Sequence, residues 1–110
     1  MRFLPYNKYR SKRTVVEGIK FHSQKEARRY QELRLLEQAG EIQNLKCQVK
    51  FPLWVEGELI TTYIADFSYL EKGNYKVEDV KGMKSGAAYR IFTIKKNLLW
   101  SLHRIRVRET

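Results

Sequence analysis

Three residues in the second half of this 110-residue chain have the types and spacing to grip a cation beside a phosphate: Asp66, Asp79 and Lys81. They lie in two extended runs, TYIADFSYL and YKVEDVKG, joined by EKGN, in which Gly73-Asn74 reads as a tight turn. Side chains two apart on a strand share a face, so Asp79 and Lys81 point one way while Glu78 points the other. Antiparallel pairing across the turn brings Asp66 towards Asp79. Hard divalent cations take carboxylate and water oxygens, often with only one or two carboxylates plus a substrate phosphate, so two acids and an ammonium meeting at one point suit such an ion. The competing reading is an ordinary Asp79–Lys81 ion pair on a solvated hairpin, which would stabilise little. Against it, Tyr75 and Val77 share the face of Asp79, and Ile60 and Ile64 share that of Asp66, so this face is expected to be covered.

The elements that must position these residues follow from pattern and punctuation. Residues 14–21 read as a small hairpin around Glu17-Gly18. Residues 23–39 read as a helix, with Ser23 and Glu26 spaced as a capping box and Gly40 as its stop. Ala27, Tyr30, Leu33, Leu35 and Leu36 form its expected core stripe, with Arg28, Arg29, Glu32 and Arg34 largely outside. Residues 46–55 alternate with Cys47, Val49, Phe51, Leu53 and Val55 on one face, and Pro52 marks an edge or a bulge. Glu56-Gly57 turns the chain into the strand of Asp66. A second helix is predicted over 87–102, its apolar face made by Ile91, Ile94, Leu98, Leu99 and Leu102. Residues 104–109 (RIRVRE) alternate as a last strand whose three arginines either contact phosphates or defend an edge. Helix, three strands, helix and strand give a mixed four-stranded sheet with helices packed on it, an α/β fold.

Asp66 followed by Asp79-Val80-Lys81 resembles the PD-(D/E)XK nuclease signature, with Ala65 in place of the proline. The longer runs FHSQKEA (21–27), QVKF (48–51), YIADF (63–67) and VEDVKG (77–82) resemble a small phage family with that nuclease core, catalogued mainly as a domain of unknown function. The resemblance spans nearly the whole chain. It implies a restriction-endonuclease-like αβββαβ core, the same order that the pattern gives. It also implies that Asp66, Asp79 and Glu26 hold one or two Mg²⁺ or Mn²⁺ ions, which lower the pKa of a water. Lys81 then stabilises developing negative charge. Glu26 keeps two readings: a helix cap, or an acid on the first core helix, where such nucleases commonly place one. Gln48 is an exposed polar residue by default, whereas similar nucleases often use a glutamine near this strand to orient water or substrate.

A net charge of +10, from 22 Lys and Arg against 12 Asp and Glu, favours a polyanionic partner. DNA-binding candidates are Lys8, Arg10, Lys12 and Arg13 in a basic arm over 1–13, and Lys84, Arg90, Lys95 and Lys96 near the second helix. The arm, with Tyr6 and Tyr9 interleaved, reads equally as a phosphate tracker or as a frayed terminus. No apolar run approaches the roughly 18 residues of a membrane span, and no secretory h-region is present. One cysteine, Cys47, supplies neither an internal disulfide nor a zinc cluster. A cytoplasmic protein is expected, in the host cell if phage-encoded. One domain over 14–110 absorbs the core elements and leaves no separate reader of base sequence. The first expectation is therefore a Mg²⁺- or Mn²⁺-dependent DNA endonuclease. By analogy with structure-selective relatives such as junction resolvases, its substrate is branched DNA and its working form a homodimer. The alternatives are a non-catalytic DNA-binding accessory module and a nonspecific nickase or RNase on the same fold.

Overall fold

Three dipeptides ending in glycine turn this chain back on itself: Glu17-Gly18, Glu56-Gly57 and Lys72-Gly73. Both residues of each pair have positive φ, between 49° and 83°. That backbone has a twist matching the strands it joins. The structure, a computed structural model, describes residues 14–110. The first turn links β1 (Thr14–Val16) to β2 (Ile19–Phe21), the second β3 (Gln43–Val55) to β4 (Glu58–Glu71), and the third β4 to β5 (Asn74–Asp79). The third turn is thus Lys72-Gly73, one residue before the predicted Gly73-Asn74. It pairs Glu71 with Asn74 and Phe67 with Glu78. The same count carried one step further sets Asp66 opposite Asp79.

The first helix, α1 (Gln24–Gln38), starts where Ser23 Oγ accepts the Glu26 N–H at 3.0 Å. Glu26 Oε1 in turn accepts the N–H of His22 at 3.2 Å, one residue outside the expected box. At the other end Gly40, at φ +81, donates to the Glu37 carbonyl while Glu41 donates to Leu36, which closes the helix. The second helix, α2 (Gly86–His103), ends at Arg104 in the left-handed region, and β6 (Val107–Glu109) then pairs parallel with β5. Arg104 therefore belongs to a cap and not to the last strand. With Arg106 it lies over the Trp100 ring.

The result is an α/β fold with a mixed sheet in the order β3-β4-β5-β6, two helices packed on it and the separate β1-β2 hairpin. Pro52 sits on the edge strand β3, beside a register shift at Leu53/Trp54, as expected. Among the described residues no helix is long and apolar enough to cross a membrane.

The core is divided. Phe21, Ala27, Tyr30, Leu33, Ile42, Phe67 and Tyr69 pack around α1, whereas Leu53, Tyr63, Ala65, Val77, Phe92, Leu99 and Val107 pack around α2. Odd-numbered residues of β3 and β4 therefore change sides partway: Phe51 and Tyr63 belong with α2, Cys47 and Phe67 with α1. A regular strand keeps each parity on one face. The exception lies between the pairs Cys47↔Phe67 and Val49↔Ala65, which enclose Gln48 and Asp66. Gln48 has φ +53, a left-handed residue in mid-strand. It turns β3 over at this point.

Three predicted faces are corrected. Leu35 is 67% exposed and Leu36 38%, because the buried stripe of α1 is Glu26, Ala27, Tyr30 and Leu33. Of the residues expected to cover α2, Ile91, Ile94 and Leu102 are exposed, and the helix buries Phe92 and Leu99 instead. Ile60 and Ile64, expected under cover beside Asp66, are also exposed. The last departure has a clear cause: the face of β4 at Tyr63 and Ala65 is the one packed with α2, which leaves the even residues of that segment outside.

Candidate active site

The β4–β5 ladder stops at Phe67↔Glu78, and just beyond it Asp66 and Asp79 meet. Asp66 Oδ2 accepts the backbone N–H of Val80 at 2.7 Å. Asp79 is buried, accepting the Tyr63 hydroxyl at 2.5 Å on Oδ2, and the Lys81 ammonium lies 2.9 Å from its Oδ1. The Lys81 Nζ also sits 3.8 Å from the centre of the Phe92 ring. Its position is fixed from behind, since its carbonyl accepts from Lys25 Nζ at 2.7 Å and its N–H bonds to the Thr110 carbonyl. The three residues singled out from sequence are thus brought together.

Electrostatics mark the same spot. Burial, reinforced by the charge of Asp79, pushes the Asp66 carboxyl up to about 8, so near neutrality it carries a proton. The nearby charges of Asp79 and Glu26 both act to keep it there. Glu26 is also raised, chiefly by burial. Its Oε1 is occupied by the His22 N–H, whereas the buried Oε2 meets no N–H or hydroxyl donor. Both readings of Glu26 are therefore partly satisfied: it caps the chain entering α1, and its second oxygen is turned to the acids. Tyr63 is raised by burial and then by Asp79, which keeps its hydroxyl a donor. The Cys47 thiol is pushed up to about 11 by burial, then by Glu26 and Asp66, and supplies no thiolate.

Crowded carboxylates with an orphaned oxygen fit a hard cation, which would relieve repulsion that a proton now relieves. Among the described residues no three His, Cys, Asp or Glu side chains form a metal site by themselves. Asp66 and Asp79 would hold the ion, with Glu26 beside them and the remaining ligands drawn from water or a phosphate. A recess of about 250 Å³ lined by these acids, His22, Lys25 and Lys81 gives access, and a larger cleft of about 500 Å³ adjoins it.

The other candidates separate. Gln48 lines the larger cleft, but its amide donates to the Lys20 carbonyl at 3.2 Å. Lys95 lines that cleft as well, and Arg90 is exposed. Lys84 and Lys96 are turned to Glu109, at 3.7 and 2.7 Å, which leaves them partly neutralised. Lys8, Arg10, Lys12 and Arg13 lie outside the described residues. Two features were not legible from spacing. Tyr63 reaches Asp79 only because β4 turns over, so strict alternation gives no sign of it. Arg29, expected outside, clamps the fully buried Glu78 with two bonds of 2.8 and 2.7 Å. Burial alone would raise Glu78, but Arg29 and then Tyr69, whose hydroxyl also donates to it, hold it below the usual carboxylate range. Glu78 points away from Asp79, as alternation predicts, and ties β5 to α1 through Arg29.

No curated protein and no solved structure matches the chain. A family model does match it, over residues 6–106, and covers every element just described except β6. The chain belongs to the DUF1064 family, a family of proteins of unknown function.

Proposed function

We propose that this protein is a divalent-metal-dependent DNA endonuclease, of the PD-(D/E)XK type and selective for branched or otherwise structured DNA. The observation that carries the reading is the meeting of Asp66, Asp79 and Lys81 at one open recess. When bound there, Mg²⁺ or Mn²⁺ would polarise the phosphoryl oxygens and make water a stronger nucleophile. The side chains have distinct tasks. Asp66 and Asp79 supply the oxygens that hold the ion. Lys81, seated against Phe92 and held from behind by Lys25, offers a fixed positive charge to the scissile phosphate. Tyr63 orients Asp79 by its hydrogen bond. A surplus of ten positive charges supports a nucleic-acid partner.

A panel of four-way junction, flap, nicked, mismatched and plain duplex DNA, with single-stranded RNA beside it, tests the reading in Mg²⁺ and in Mn²⁺. Wild type is expected to cut at least one branched DNA, and Asp66→Ala and Lys81→Ala to lose at least about a hundredfold in rate while still binding. Cutting of RNA alone moves the activity to an RNase. A second reading, a DNA-binding module without catalysis, is favoured by one observation: Asp79 already has a partner on each oxygen. Binding without cleavage of any substrate selects it.

A further inference from the structure

The larger cleft beside the acids has a lining that metal chemistry does not use. Its lining includes Ile64 of β4, 51% exposed, and Ile91 of α2, 54% exposed, together with Ala88. These isoleucines add little to either core cluster, yet they flank the acid pair. The cations Lys50 and Lys95 stand at the same cleft, and Lys95 is steadied by the Thr62 carbonyl at 3.2 Å. At about 500 Å³ the space is in the range that encloses a small ligand.

A continuous duplex offers phosphates and groove edges, whose apolar part is at most a thymine methyl, and no flat apolar face to meet Ile64 and Ile91. An unstacked base does: two apolar ring faces, a polar edge, and a phosphate on either side. We propose that the cleft receives one extrahelical base from the strand whose phosphate lies over Asp66 and Asp79, with Ile64 and Ile91 as apolar contacts for its ring and Lys50 and Lys95 on the flanking phosphates. The position of that phosphate rests on the nuclease reading; the base site itself rests on the cleft. The substrate is then DNA with an unpaired nucleotide at the cut, which gives structure selectivity a local cause.

The test measures binding by the full chain in EDTA, where no cleavage interferes. The probes are a duplex with a single bulged nucleotide, the same duplex with an abasic bulge, and the duplex without a bulge. Wild type is expected to bind the base-bearing bulge about tenfold more tightly than the abasic one, the order of effect expected from taking part of one base's apolar surface out of water. The Ile64→Ala/Ile91→Ala double variant is expected to lose that preference, to keep its affinity for plain duplex, and to melt at the wild-type temperature because both positions are exposed. Equal affinity for the two bulges overturns the proposal, as does failure to bind any of the probes. So does a wild-type dimer that the double variant dissolves, because the isoleucines then belong to a contact between copies. If the bulge preference holds but no substrate is cut, the base site stands and the nuclease reading fails; cutting with equal bulge affinities gives the reverse.

Discussion

At Asp66, loss of water and the nearby Asp79 act in the same direction, and together they outweigh the Val80 N–H that favours the charged form. The sign of the stability effect follows. Between the ordinary value of 3.8 and the folded value of about 8, the folded protein keeps a proton that the unfolded chain has released, so stability falls as pH rises through that window. Melting in EDTA is expected to shift to lower temperature from about pH 5 to pH 8, and Asp66→Asn to flatten the trend. Mn²⁺ should bind more tightly over the same rise in pH, because the ion displaces the proton, with calorimetry at several pH values as the check. Glu78 has the opposite character. Its carboxylate is charged, fully buried and clamped by Arg29, so Glu78→Ala leaves a half-buried guanidinium with only the exposed Glu32, and the buried Tyr69 hydroxyl without its acceptor. A loss of roughly 3 kcal/mol in urea unfolding is expected, with metal affinity unchanged in whatever fraction remains folded.

Among the elements, β3 has the most unusual backbone. Gln48 occupies a conformation that costs an ordinary residue about 1–2 kcal/mol, and its amide reaches across to the Lys20 carbonyl. Gln48→Gly is expected to keep stability within about 1 kcal/mol, since relief of the backbone offsets loss of the amide bond. Gln48→Val should lose at least about 2 kcal/mol by the same measurement, as a β-branched side chain resists this backbone most. This residue also explains what the sequence made legible and what it hid. Turns, caps and strand order are written locally: Glu17-Gly18 and Glu56-Gly57, Ser23, Gly40 and Pro52 behave as their chemistry dictates. The approach of Asp66 to Asp79 was legible from a turn, but its register was not: a turn at Gly73-Asn74 sets Asp66 opposite Lys81, and only the Lys72-Gly73 turn sets it opposite Asp79. The buried face of the first half of β4, and with it Tyr63, could not be deduced, because that deduction assumes one face per parity, and nothing in the letters QVKF announces a left-handed residue. The α2 face with Phe92 depends on which of several apolar residues meets the sheet, and the role of Arg29 on Glu78, a partner far along the chain.

For the molecule as a whole, the charge surplus was plain from composition, and its distribution was not. Glu109 absorbs Lys84 and Lys96, two of the expected DNA contacts, while Lys25 and Lys50 beside the two recesses went unremarked. Binding to DNA is expected to weaken by at least about a hundredfold between about 50 and 200 mM salt, as several phosphate contacts require, with fluorescence anisotropy as the readout. Lys96→Ala should change that slope less than Lys50→Ala, because Lys96 already has a carboxylate partner. The tight turn at Lys72-Gly73 gives the chain uneven tolerance to insertions. One extra residue at Glu56-Gly57, looped out at the tip between β3 and β4, leaves the acids where they are. An insertion at Lys72-Gly73 that slides β5 brings Glu78 to the place of Asp79 and turns it to the other side of the sheet, so lineages in which the acids are used should vary in length at the β3–β4 turn and hold the β4–β5 turn constant.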